Sequence, residues 1–112
     1  MKWNELISED QLELIRQESQ AQPVLIFKHS TRCSISKTVL NRLERSWQSD
    51  SIKPYFLDLL SYRNISNRVA EYFHVQHESP QALLISQGQP VWVRSHFDIQ
   101  LNELEEAATA KN

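Results

Sequence analysis

The sequence predicts an α/β fold, a four-stranded mixed sheet with helices on both faces in the order α-β-α-β-α-β-β-α. Three observations carry that expectation. Apolar runs of strand length alternate with stretches of helical periodicity as far as His74. Helices between successive strands impose parallel crossovers. A turn around Gly88, the sole glycine of the chain, then joins the last two strands without a helix and makes that pair antiparallel.

Taken in order, Ser8 opens the first helix. Ser8 and Gln11 match a capping box, and Ile7 with Leu12 match a hydrophobic staple. Leu12 and Ile15 give a short apolar stripe that Gln20-Ala21-Gln22-Pro23 ends. The first strand, Val24 to about Lys28, is apolar at consecutive positions, which suits a central strand covered on both faces. Ile35, Val39, Leu40, Leu43 and Trp47 mark a second helix, about Cys33 to Gln48. Tyr55, Leu57 and Leu59 alternate with Phe56 and Asp58 in a second strand, about Lys53 to Leu59, and Pro54 stands early enough to spare the ladder. Ile65, Val69, Tyr72 and Phe73 place a third helix over Asn64 to His74. After the loop Val75 to Pro80, strands Gln81 to Ser86 and Pro90 to Ser95 flank the turn Gln87-Gly88-Gln89. Asp98 is positioned to cap a last helix, about Ile99 to Ala108.

The 112 residues form one domain, 1–112, long enough to bury a core without disulfides or a structural metal. A net charge of -2 gives no reason to expect nucleic acid as a partner. No apolar run reaches membrane-spanning length, and Met1-Lys2-Trp3-Asn4-Glu5 lacks the apolar region of a secretory signal, so no membrane partner and a cytoplasmic location are expected. A lone cysteine forms no intramolecular disulfide, in keeping with a reducing compartment. His29, His74, His77 and His96 show no paired Cys-His spacing, so no metal is expected, and His74 and His77 read as surface histidines.

The chemistry concentrates at Cys33, where the first strand hands over to the second helix. The thiolate is the nucleophile in disulfide exchange, and a helix N-terminus offers it free N–H donors and partial positive charge. Arg32, Lys28 and Lys37 add charge of the same sign, and Ser36, three residues on, is spaced to donate its hydroxyl to the sulfur. The polar flanks Ser30-Thr31-Arg32 and Ser34 favour a reactive cysteine over a buried structural one. Ser36 also stands where a C-x-x-C motif has its second sulfur. A mixed disulfide on Cys33 therefore waits for an outside thiol. The element order is the thioredoxin arrangement, and it places Ser79-Pro80 just before the hairpin. A cis bond there, facing Cys33, leaves the Ser79 backbone free to pair with an extended substrate, with Thr31, Ser79 and Pro80 as substrate-facing residues.

Phe27-Lys28-His29-Ser30-Thr31-Arg32-Cys33-Ser34-Ile35-Ser36, with His77-Glu78-Ser79-Pro80-Gln81 and Ser95-His96-Phe97-Asp98-Ile99, closely resembles the monothiol bacilliredoxins, thioredoxin-like proteins of the bacillithiol redox system. The resemblance spans nearly the whole chain. It implies a nucleophilic Cys33 that takes bacillithiol from S-bacillithiolated cytoplasmic proteins. It implies no tightly bound cofactor, bacillithiol as co-substrate, and free bacillithiol or a partner oxidoreductase as reductant. The family motif has proline after the cysteine, T-C-P-I-S. Ser34 here restores a backbone N–H beside the sulfur and removes a rigid helix-start residue, which bears on redox potential and exchange rate rather than on the nucleophile. Three other readings are a glutathione-linked monothiol glutaredoxin-like protein, an iron–sulfur carrier, whose C-G-F-S motif is absent, and a non-catalytic thioredoxin-fold binding module.

Overall fold

Val24 to Phe27 have no polar side to offer solvent, and the strand they open, β2 (Val24–His29), is buried along its full length. The computed structural model describes residues 1–110. On one side β2 pairs in parallel with β3 (Lys53–Asp58), on the other antiparallel with β4 (Gln81–Ser86), which continues through a hairpin into β5 (Gln89–Ser95). The sheet has five strands rather than the four expected. A short β1 (Asn4–Glu5) adds in parallel to the outer side of β3, giving the order β1-β3-β2-β4-β5. Both residues of β1 are exposed, and a two-residue strand is too short to show alternation, so no periodicity announces it.

Helices cover both faces, as the parallel crossovers require. Helices α1 (Asp10–Glu18) and α3 (Arg63–Phe73) bring Leu12, Ile15, Ile65, Val69 and Phe73 onto the face that carries Val24 and Ile26. Helices α2 (Ser34–Ser46) and α4 (Leu101–Thr109) bring Val39, Leu43 and Leu104 onto the face of Leu25 and Phe27. Among the described residues no helix is long and apolar enough to cross a membrane.

Two helix starts differ from the sequence expectation. Only half of the capping box forms. The Gln11 side chain accepts from the Ser8 N–H at 3.0 Å and the Ile7 N–H at 2.7 Å, while the Ser8 side chain makes no cap and the helix begins at Asp10. Ile7 is exposed and Leu6 takes the buried position instead, so the staple is absent. Asp98 caps nothing. It ends a 3-10 turn (His96–Asp98), and α4 starts at Leu101 after Gln100. The cause is His96, held in the left-handed region at φ 55 while its N–H donates to the Pro80 carbonyl at 3.0 Å, which turns the chain before the helix.

The hairpin turn is anchored by the end of α1. Gln87 (φ 56) and Gly88 (φ 77) are both left-handed, the geometry of a two-residue turn whose twist suits the flanking strands. Ser19, just past α1, accepts the Gln87 N–H on its carbonyl at 2.9 Å and the Gly88 N–H on its hydroxyl at 2.8 Å. Ser19→Ala leaves the buried Gly88 N–H without an acceptor. The expected loss is about 1–3 kcal/mol, read from urea unfolding as a lower midpoint at unchanged slope.

Candidate active site

Cys33 is a free, half-exposed thiol that occupies the N-cap position of α2 with extended backbone (φ -105, ψ 119). Its N–H donates to the Ser30 carbonyl at 3.2 Å, closing the turn from β2, and its carbonyl accepts the first helical bond from the Lys37 N–H at 3.1 Å. The first turn of α2 contains no acidic residue, so an anion at the sulfur has no carboxylate to compete with there. Thr31 and Arg32 lie exposed in the turn, and Ser34 is the exposed first residue of α2. Arg32 and Lys37 belong to no ion pair among the described residues, so both cations stand free beside the turn.

Ser36 is placed differently from the expectation. It is completely buried, and its hydroxyl meets His29 Nδ1 at 2.7 Å and accepts the Ser30 N–H at 3.0 Å. The hydroxyl thus binds beneath the turn rather than to the sulfur. His29 itself is buried, with its ring 5.4 Å from that of Phe56. Burial holds the imidazole below its ordinary titration range, so it pairs with Ser36 in the neutral form. The His29–Ser36 bond therefore stitches the last residue of β2 to the first turn of α2, with the Cys33 turn spanning the stitch.

Lys28 also departs from the expectation. Alternation along β2 points His29 toward α2 and Lys28 the other way, toward α3. The fully buried ammonium donates to the Ser66 carbonyl at 3.1 Å and to His77 Nδ1 at 3.1 Å. It adds no charge on the cysteine's side of the sheet. Burial lowers it to about 8. His77 is exposed, as expected of a surface histidine, and its Nδ1 is the partner of this lysine. His74 is the left-handed C-cap of α3. Sequence reasoning gave neither Lys28–His77 nor His29–Ser36 these roles. The available signal was two consecutive polar residues closing an otherwise apolar, fully covered strand.

Ser79–Pro80 is a cis peptide. The register Lys28↔Gln81 sets Pro80 beside the C-terminal end of β2, the end from which the Cys33 turn leaves the sheet. Among the described residues the Ser79 N–H and C=O have no backbone partner, and its buried hydroxyl has none either. The structure thus brings Cys33, Thr31, Arg32, Ser34 and the Ser79–Pro80 segment to one end of the sheet, with Ser36 underneath. No three His, Cys, Asp or Glu side chains gather to hold a metal ion among the described residues.

A half-exposed helix-start cysteine with no second sulfur, opposite a cis-proline segment, agrees with the match to known families. The model of the monothiol bacilliredoxin BrxC family matches residues 4–104. The chain belongs to the monothiol bacilliredoxin family. A solved thioredoxin-fold structure provisionally assigned as an oxidoreductase is similar at 33% identity, covering 92% of this chain and 90% of its own, with a TM-score of 0.80. The thioredoxins of Malassezia sympodialis (18% identity, 96% and 89% covered, TM-score 0.73) and Fasciola hepatica (15%, 95% and 96%, TM-score 0.72) share the fold. This bacilliredoxin-family chain is thus a thioredoxin-fold thiol oxidoreductase.

Two outcomes follow from the buried pairs. Ser36→Ala strips His29 Nδ1 and the Ser30 N–H of their partner at once, and stability falls by about 2 kcal/mol or more in urea unfolding. For Lys28, the folded-state value lies below the ordinary 10.5, so the unfolded chain holds the extra proton between about 8 and 10.5. The penalty of burying the ammonium is fully present below about pH 8 and fades as pH rises. Wild type therefore gains stability relative to Lys28→Met between neutral pH and about pH 10, in paired unfolding curves.

Proposed function

We propose that this protein removes a low-molecular-weight thiol, bacillithiol, from mixed disulfides on cytoplasmic proteins by monothiol exchange at Cys33. The observation that carries this reading is the site itself. A half-exposed cysteine begins α2, and the position three residues on holds a buried serine already bonded to His29. In the first step the Cys33 thiolate attacks the bacillithiol sulfur of the capped protein. The S–S bond to the protein breaks, a Cys33–bacillithiol disulfide forms, and the protein leaves as a thiolate that takes a proton from solvent. In the second, a thiolate from free bacillithiol attacks the bacillithiol sulfur on Cys33. The Cys33–sulfur bond breaks, Cys33 is released as the thiolate, and the disulfide leaves as bacillithiol disulfide; with a dithiol oxidoreductase as reductant, the disulfide ends in that partner and free bacillithiol leaves.

Each element of the site has a part in this scheme. The N–H groups at the start of α2 stabilise negative charge on the sulfur, both before attack and when Cys33 departs as a leaving group. Arg32 and Lys37 draw anionic thiols toward the turn. The unpaired Ser79 backbone accepts the chain that flanks the capped cysteine, against Pro80 and beside Thr31. No tightly bound cofactor enters.

The test is intact-mass analysis after incubation with a bacillithiolated protein beside a glutathionylated one. The expected result is one bacillithiol adduct on the wild type, none on Cys33→Ser, and little transfer from the glutathionylated donor. Transfer from neither donor sinks the reading, and preferential glutathione transfer reassigns the thiol.

A further inference from the structure

Lys28 is not explained by packing. Methionine fills the same place in the α1/α3 core without desolvating a charge, and the buried ammonium faces no carboxylate among the described residues, only the Ser66 carbonyl and His77 Nδ1. Gln81, its cross-strand neighbour, is also buried, and its Nε2 donates to the Gln76 carbonyl at 2.9 Å. Two side chains facing each other across the ladder thus grip two consecutive loop residues, Gln76 and His77. Among the described residues, between the Val75 N–H on the Ala70 carbonyl and the Pro80 carbonyl under His96, the one further side-chain hydrogen bond to this segment is Ser66 Oγ at 3.4 Å from His77 Nδ1.

We propose that Lys28 is a positioning residue for exchange with protein substrates: through His77 it holds the segment ending in Ser79–Pro80 at the end of the sheet where Cys33 emerges. The assignment rests on the reading of Cys33 as a thiol that exchanges with capped proteins. An ammonium only donates, so His77 Nδ1 is unprotonated and the ring proton sits on Nε2. A capped small thiol meets Cys33 directly and needs no wall. A capped protein must lay a stretch of chain along Ser79, and a displaced wall misplaces the disulfide against the sulfur.

The experiment compares wild type, Lys28→Met, His77→Ala and His77→Asn. Alkylation of Cys33 by iodoacetamide and exchange with hydroxyethyl disulfide are expected to stay within about twofold of wild type in all four. Adduct transfer from a bacillithiolated protein is expected to fall about tenfold or more in Lys28→Met and His77→Ala, chiefly through KM. His77→Asn, which offers an amide oxygen near the Nδ1 position, recovers most of it. Nitrogen NMR of the imidazole should show Nδ1 unprotonated in wild type and a tautomer mixture in Lys28→Met. Full protein transfer in Lys28→Met and His77→Ala overturns the proposal. So does an equal fall in all three rates, which places the effect on the sulfur or the fold. His77 is at the surface, so its variants decide the matter if Lys28→Met does not fold. If wild type takes no cap from any protein, the de-capping reading fails on its own, and the tautomer decides the grip: Nδ1–H in wild type overturns it.

Discussion

Strand β2 is the constraint from which the rest of the site follows. It is central and buried at every residue, so each side chain along it must satisfy itself against one of the two helical layers. For Val24 to Phe27 that means apolar contact. For Lys28 and His29 it means finding a polar partner inside the protein, because an unpaired polar group there costs far more than the bond it lacks would contribute. Alternation sends the two in opposite directions, His29 to Ser36 on α2 and Lys28 to His77 ahead of Ser79–Pro80. The same pair of residues therefore reaches the segment that carries the nucleophile and the segment that carries the cis-proline.

This changes what the missing second sulfur means. A serine on an exposed helix turn would be a cysteine position left vacant. Ser36 is instead the hydrogen-bonding centre of the turn, holding the Ser30 N–H and His29 Nδ1 together. A thiol in that place is a poor partner for both groups, since sulfur donates and accepts weakly. The monothiol character of the site and the rigidity of its turn are thus one feature. Neither is adjusted without the other.

Much of this was legible in the sequence, and the exceptions have physical causes. Apolar patterning reported the first three helices and the first two of the longer strands, because those elements bury a face and burial dictates the pattern, while the turn at Gly88 marked the last two strands. The two-residue β1 buries nothing and escaped. Ser8 and Asp98 had the right chemistry for caps, but whether a cap forms depends on where the chain turns, which Leu6 and His96 decide through contacts distant in sequence. Cys33 and Pro80 stood out because their residue types are restricted to few uses. Lys28 was counted as positive charge beside Cys33, from which only four residues separate it along the chain, yet in a strand the face matters more than the separation.

With Lys28 removed from the cysteine's side, the electrostatics of the sulfur rest on fewer groups. Arg32 and Lys37 are exposed, where solvent and salt screen them within about 8 to 10 Å. The fixed contribution is the N-terminus of α2, whose backbone N–H groups are not screened in the same way and meet no acidic side chain in the first turn. Ser34 then acquires a definite meaning. As the first residue of α2 it carries an N–H that proline lacks, one more donor at the helix end that the sulfur occupies. It also gives up the fixed φ that proline imposes on a first turn. In this chain the turn does not depend on that restraint alone, because Ser36 and His29 already tie it to β2 from below. The buried bond ties the turn where this chain has no proline, and the Ser34 N–H is a further donor at that helix end.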